Sequence, residues 1–134
     1  MQPSRTVHHL RSRMRFVIPA SLALAIALPA YAHHGWAWAD GEQTTLEGSI
    51  QTISMAPPHP TLKVRDAKGA VWQIDLGNPA QTARSGFTGA SAKPGDKIVI
   101  LGNRARDHAS LHMKAVRITV GGRDYDMYPE RIAR

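Results

Sequence analysis

The sequence predicts an all-β domain, and three features carry that prediction. Apolar and polar residues alternate in five separate segments after residue 44, which is the pattern of strands with one buried face. Prolines and glycines separate these segments, as expected for turns between strands. The one stretch with clear helix signals is short and lies between the third and fourth segments.

Residues 1–32 have the three parts of a cleavable secretory signal peptide. A start with four arginines and no acidic residue precedes a nearly apolar run at 17–28, and Ala30-Tyr31-Ala32 offers small residues before a cleavage point. A transmembrane anchor needs roughly 18–20 apolar residues, and this run is shorter. We therefore predict export to the periplasm or beyond, with cleavage after Ala32; an uncleaved anchor is the alternative.

Cleavage changes the charge of the protein. The full chain has 17 lysines and arginines against 10 aspartates and glutamates, and four of the arginines lie in the signal. The remaining 13 basic residues nearly balance the acidic ones, so we expect no nucleic-acid partner, and membrane contact only during export. The absence of cysteine excludes disulfides and thiolate metal sites.

The first strand is predicted from Thr45 to Met55, after a polar and aromatic arm at 33–44. Its alternation slips at Gln51-Thr52, which indicates a β-bulge. Three prolines at 57–60 then end the strand, because proline cannot donate to a ladder.

A hairpin follows the first strand. Its strands are predicted at 62–66 and 71–76, and residues 66–69 form the turn, in which Gly69 can take a positive φ.

A short helix is predicted over 80–85. Asn78 is a suitable N-cap, Pro79 fits the first position and Gly86 fits the stop.

The last two strands are predicted at 97–102 and 111–120. A tight turn at 93–96 leads into the first of them, and the tail 123–134 adds a short strand at 125–127. Five strands with a helix between the third and fourth match the five-stranded Greek-key barrel of the OB-fold.

A long, bulged first strand that bends between two sheets is typical of such a barrel. We predict an OB-like domain at 45–122, between the arm and the tail; an open β-sandwich is the structural alternative.

Short motifs along the chain carry a resemblance. They are Ala32-His33-His34, Leu46-Glu47-Gly48-Ser49-Ile50, Pro58-His59, Trp72, Arg84-Ser85-Gly86-Phe87 and Lys93-Pro94-Gly95-Asp96. With these motifs the chain resembles a family of small exported bacterial proteins that has no settled function. It departs from the family at Pro57, where Asn is expected, and at Asp75, where Glu is expected. The resemblance implies an exported OB-like domain and assigns no enzymatic activity.

The candidate metal ligands begin at the predicted cleavage site. After cleavage His33 carries a free amine, with an ordinary pKa of about 7.7–8, beside its own ring nitrogen. Amine and ring, together with a second imidazole, form a histidine brace, and such nitrogen ligands suit Cu(II). This resembles the N-terminal copper sites of periplasmic copper carriers and of lytic polysaccharide monooxygenases, at the N-terminal histidine only. Alternatively, the amine, the next amide and the His34 ring chelate Cu(II) or Ni(II).

Further ligands must come from the rest of the chain. His59 is the first candidate, because Pro58 and Pro60 hold its backbone at low entropic cost. His112 is the second; alternation places it and Met113 on opposite faces of a strand, so at most one of them points to a shared site.

We expect copper as the metal and His33, His34, His59 and His112 as its ligands. His108 lies in a loop and has no feature that favours it. The alternative is that these histidines are solvated surface residues.

The tryptophans support a different hypothesis. OB-folds bind ligands across their second and third strands, often by aromatic stacking, so Trp36, Trp38 and Trp72 are candidates for binding a sugar or a peptide. The structural alternative places Trp72 in the core and uses the other two to close one end of the barrel. An arm pinned in this way also holds His33-His34 in place.

We therefore predict a small exported protein that binds a transition metal for carriage, buffering or sensing. Catalysis is not expected, because the sequence has no nucleophile elbow, phosphate loop or HExxH motif. Asp75, Asp96 and Asp107 lie at strand ends or turns, where carboxylates commonly cap amides. The alternatives are a metal-free OB module that binds a ligand or protein, and an accessory subunit of an envelope complex.

Overall fold

The computed structural model describes residues 35–132 of the chain. The predicted signal peptide at 1–32 and the predicted ligands His33 and His34 lie outside the described residues. The elements are β1 (Ala39–Ser54), β2 (Thr61–Asp66), β3 (Val71–Asp75), α1 (Pro79–Ser85), β4 (Lys97–Ala105), β5 (His112–Val120), β6 (Arg123–Asp126) and a 3-10 helix (Pro129–Arg131). Within this part of the chain, no helix is long and apolar enough to cross a membrane.

The strands close into a barrel with the topology of an OB-fold. Strand β1 pairs antiparallel with both β2 and β4, β2 pairs with β3, and β4 pairs with β5. A parallel pairing of β3 with β5 completes the closure. Strand β6 adds to the outer edge of β5. The predicted OB-like barrel is confirmed, because the sheet closes on itself where the alternative sandwich would remain open.

The long strand β1 can bend because of a bulge and a glycine. The register with β2 shifts between Ile50 and Thr52, so the predicted bulge is confirmed. A Cβ atom on Gly48 would lie 2.4 Å from the carbonyl oxygen of Arg65. Glycine at this position therefore allows β1 and β2 to approach closely.

The core fills the inside of the barrel with alternate residues of every strand. Full burial of one such large apolar side chain stabilises the fold by about 1.5–3 kcal/mol. The largest fully buried side chains are Phe87, Ile50, Leu62, Ile74, Leu76, Ile98, Ile100, Met113, Ile118, Met127, Val64 and Val116.

Helix α1 begins and ends at the predicted residues. The Asn78 side chain accepts a hydrogen bond from the Gln81 amide, and the Gln81 side chain accepts one from the Asn78 amide. Gly86 ends the helix in the left-handed region with φ 84°. Phe87 then enters the core and contacts Tyr125 edge to face.

The first strand begins six residues earlier than predicted. Its early part pairs with the end of β4, where Ala39 faces Ala105 and Gln43 faces Asn103. The Asn103 side chain donates to the carbonyl groups of Asp40 and Glu42. These contacts between distant residues order a polar segment that shows no alternation in the sequence.

Candidate functional site

The strongest candidate site is centred on Asp75, the last residue of β3. This carboxylate is only 3% exposed. Its Oδ2 atom lies 3.0 Å from His112 Nε2 and 3.5 Å from His59 Nε2. The Gln73 side-chain amide donates to Oδ1 at 3.3 Å. Two of the predicted metal ligands therefore meet at one buried carboxylate.

The parallel pairing of β3 with β5 creates this arrangement. Gln73 is the register partner of His112, and Asp75 that of Lys114. Since side chains alternate along a strand, all four lie on the outer side of the barrel, while the residues between them enter the core. His59 comes from the loop before β2, which is tied to the end of β3 by a hydrogen bond from the Leu76 amide to the Pro60 carbonyl.

The charges around Asp75 favour its ionised form. Burial alone would raise the pKa of this carboxyl, but the His112 contact, the Gln73 hydrogen bond and the charge of His59 outweigh it and lower the pKa below its ordinary value. Lys114 is also buried, with 4% of its surface exposed. Burial lowers the pKa of its ammonium, Asp75 opposes that effect, and Arg131 adds to it.

Aromatic rings cover the outer face of β5. Trp38 stacks on the His112 ring, with centroids 4.0 Å apart and an interplanar angle of 14°. Trp36 contacts Tyr128 edge to face at 4.8 Å. The Lys114 ammonium lies 5.4 and 5.6 Å from the centroids of these last two rings, a cation–π arrangement. The segment before β1 and the segment after β6 therefore meet over the site.

The structure separates the other candidate ligands from this cluster. His108 lies 3.0 Å from Asp40 through its Nε2 atom, and both side chains are largely exposed. Met113 is buried in the core, on the opposite face of β5 from His112, as alternation predicts.

The three tryptophans do not form one surface. Trp72 is 6% exposed, donates its indole N–H to Asp66, and carries the Arg104 guanidinium 4.7 Å above its ring. Trp36 and Trp38 are partly exposed and lie over β5 and the tail. Only these last two have ring area for an external ligand.

Local sequence patterns do not reveal the residue that organises the site. The position of Asp75 at the end of a strand predicts a carboxylate that caps backbone amides, and nothing in the sequence singles out Gln73, Lys114 or Tyr128. The polar residues at alternate positions of the third and fifth strands were the available signal. Their side-by-side placement depends on the β3–β5 pairing, which no local pattern reveals.

The described residues supply only part of a metal site. Among residues 35–132, no group of three or more histidine, cysteine, aspartate or glutamate side chains is arranged to hold a metal. His59 nevertheless has a buried Nδ1 atom with no hydrogen-bond partner in this part of the chain. A ring whose other nitrogen faces a carboxylate is the usual form of a metal-ligating histidine. The described residues therefore do not form a metal site by themselves.

The solved structures that resemble this chain include the following two. One is the Schizosaccharomyces pombe (S. pombe) Stn1–Ten1 complex, with 17% identity over 58% of this chain and a TM-score of 0.49; the chain spans 57% of that protein's length. The other is the S. cerevisiae mitochondrial single-stranded DNA binding protein Rim1, with 13% identity over 61% of this chain, 94% of that chain and a TM-score of 0.47. A search of curated proteins finds no match.

These likenesses correct one expectation from the sequence. The prediction of no nucleic-acid partner is contradicted, because a protein that resembles this chain binds single-stranded DNA. The near-balanced charge after residue 32 was too weak a ground for that exclusion, since OB-folds also bind single strands by aromatic stacking.

The family comparison agrees with the resemblance seen in the sequence motifs. The model of a family of unknown function, DUF6152, matches residues 22–113, which is more than half of the chain. The protein therefore belongs to the DUF6152 family.

Proposed function

We propose that this protein is an exported OB-fold module that binds a transition metal, copper in the first place, for carriage, buffering or sensing. The observation that supports this most strongly is the convergence of His59 and His112 on the buried carboxylate of Asp75. The role is binding rather than catalysis. Its location in the periplasm or outside the cell follows from the signal pattern of residues 1–32.

The available ligands favour copper. Two of the described imidazoles, those of His59 and His112, lie at Asp75, and the whole sequence has no cysteine. The donors available at this cluster are therefore imidazole nitrogens beside a carboxylate. Nitrogen donors suit Cu(II), which also outcompetes other divalent first-row metals for such sites. Since two imidazoles do not complete a site, the remaining ligands in this proposal are the His33 amine and the ring of His33 or His34.

Chain length supports this completion of the site. Trp38 stacks on His112 and is four residues after His34. Four residues span at most about 14 Å when fully extended. A short length of chain therefore joins His34 to the residue that stacks on His112, and His33 directly precedes His34.

The decisive experiment uses the N-terminus. Copper titration of the correctly processed protein, whose mass shows His33 to be residue one, is compared with a version that carries one additional N-terminal alanine. The brace requires the amine beside the His33 ring, so the added residue should lower the affinity at least tenfold. Equal affinities would rule out the brace.

A second set of variants tests the ligands in the barrel. His59→Ala and His112→Ala should each lower copper affinity, whereas His108→Ala should not, because His108 contacts Asp40 and not Asp75. If all three variants bind copper as the unaltered protein does, the Asp75 cluster is not the metal site.

The second candidate function is binding of a ligand without metal. It is favoured by the partly exposed rings of Trp36 and Trp38 and by the cationic groups beside them, since Arg131 lies 3.8 Å above Trp36. Tryptophan fluorescence during titration with oligodeoxythymidylate, a neutral oligosaccharide and a short peptide tests it. A saturable response in protein that binds no copper would replace the metal proposal. An accessory role in an envelope complex is the remaining alternative.

A further inference from the structure

Strand β6 has one edge without a neighbouring strand among the described residues. It is last in the order of the sheet and pairs with β5 alone. Gly121 and Gly122 join the two strands with φ values of 59° and 77°, as in a two-residue hairpin turn of type I′. Val120 and Arg123 flank this turn as register partners, so they exchange both backbone hydrogen bonds.

The alternation of an antiparallel ladder then assigns the outer edge of β6. Bonded and non-bonded pairs follow each other, so Arg123 and Tyr125 bond to β5. The N–H and C=O groups of Asp124 and Asp126 therefore point away from β5. Within residues 35–132 these outward groups have no backbone partner, and their spacing of two residues is the spacing that an added strand requires.

A groove of about 510 Å³ lies beside this edge. Helix α1 forms one wall, and β6 with the segment after it forms the other. Ligand pockets typically have volumes of about 300–1,000 Å³, so the groove can take a short segment of chain. Its polar lining residues include Gln81, Arg84 and Ser85 on the helix and Asp124, Asp126 and Glu130 on the opposite wall.

We propose that this groove binds an extended peptide segment with basic side chains, which adds a strand to the outer edge of β6. In this mode of recognition, main-chain hydrogen bonds supply affinity and the side chains of the groove supply selectivity. The groove contains none of the residues around Asp75, so the inference goes beyond the proposed metal binding and does not depend on it.

Charge favours a basic peptide over a second copy of the chain. Three carboxylates and one guanidinium line the groove, and the balance stays negative when Arg117, which pairs with Asp124 and Asp126, is included. A lysine or arginine side chain therefore meets an opposite charge. Antiparallel pairing of β6 with β6 of a second copy would oppose aspartate to aspartate, which is destabilising.

Peptide titration of the ¹⁵N-labelled, processed protein tests the proposal. With an acetylated and amidated Lys-Val-Lys-Val peptide, the amides of Asp124 and Asp126 should show saturable changes in chemical shift, because they face the added strand. The matching Glu-Val-Glu-Val peptide should bind about tenfold more weakly, since like charges then meet. Absence of saturable changes at these amides, or equal affinity for both peptides, would overturn the inference.

Backbone methylation separates strand addition from attraction between charges. Two versions of the lysine peptide carry N-methyl groups, one on both lysine amides and the other on both valine amides. Only one of these sets faces β6 in an added strand. One version should therefore bind about tenfold more weakly than the other, although both keep the same charge. Equal affinities would show that no strand is added.

A pair of variants tests the same edge from the side of the protein. Asp124→Pro removes an outward N–H and leaves the bonds of Arg123 and Tyr125 to β5, as proline allows on an edge strand. Asp124→Asn is the control, because it loses the same charge and keeps the N–H. Folded Asp124→Pro that binds the lysine peptide as tightly as Asp124→Asn would contradict strand addition. Thermal unfolding shows whether the proline variant is folded; if it is not, the methylated peptides decide.

Discussion

The indole of Trp38 lies flat against the imidazole of His112, with ring centroids 4.0 Å apart. This contact joins the segment that precedes β1 to the first residue of β5. Because Trp38 is only four residues after His34, one aromatic pair links the predicted start of the processed chain to the histidine cluster.

Replacement of Trp38 by alanine should destabilise the fold. A stacked aromatic pair contributes about 0.5–1.5 kcal/mol beyond the area that it buries, so the free energy of unfolding should fall by at least that amount. Urea unfolding followed by circular dichroism measures it. Trp38→Phe keeps an aromatic ring against His112 and should recover most of the loss; equal losses in both variants would show that stacking contributes nothing.

Gly48→Ala should lower the free energy of unfolding, and Gly41→Ala is its matched control. A Cβ at position 48 would lie 2.4 Å from a backbone oxygen, whereas one at position 41 meets nothing within 4 Å. Overpacking of this kind typically costs about 1–3 kcal/mol. Thermal unfolding of the two variants should therefore differ clearly, and similar melting temperatures would contradict the close approach of β1 and β2.

The N-cap of α1 should contribute about 1 kcal/mol. Asn78→Ala removes a side chain that accepts from the Gln81 amide, a change that usually costs 0.5–2 kcal/mol. Gln81→Ala removes only the reciprocal bond to the Asn78 amide and should cost less. Denaturant midpoints compare the two, and a greater loss in Gln81→Ala would reverse the assigned roles.

The Arg117–Asp126 pair should make stability depend on pH. Arg117 donates from Nε and Nη2 to the two oxygens of Asp126, and this hydrogen bonding lowers the pKa of the carboxyl. Because the pKa of Asp126 is lower in the folded protein than in the unfolded chain, the pair stabilises the fold at pH values above the unfolded pKa, which is about 3.9 for aspartate. This contribution disappears as the pH falls through the folded pKa. Since the pair is about one-third exposed, it contributes at most about 1 kcal/mol.

Asp126→Asn tests that dependence. The variant should be less stable than the unaltered protein at pH 7, and the difference should shrink towards pH 2. Urea unfolding at both values measures it. A difference that stays constant with pH would assign the loss to packing and not to the charge.

The parts of the fold that depend on neighbouring residues were predictable from the sequence. The bulge after Ile50, the turn at Gly69 and the helix between Asn78 and Gly86 each follow from a few adjacent residues, and all three are confirmed. The order of strands and the helix between the third and fourth then identified the barrel.

The parts that depend on distant contacts were not predictable in the same way. The segment from Ala39 became a strand because it pairs with the end of β4, some sixty residues further along the chain. Asp75 was missed for the same reason, since its role depends on His112 in a strand that only barrel closure brings alongside. His59 and His112 could be proposed individually from residue type and loop chemistry, but not their shared carboxylate.

The edge-to-face contact of Trp36 with Tyr128 makes the two ends of the described chain neighbours. The tail is held there a second time, because the Gln43 side chain donates to the Arg131 carbonyl. An affinity tag or fluorescent protein fused to the C-terminus would therefore crowd the same surface as a change at the N-terminus. The hairpin turn at Gly69 is the better insertion point for a label, and a circular permutant that joins the two ends and opens at that turn should keep the barrel intact.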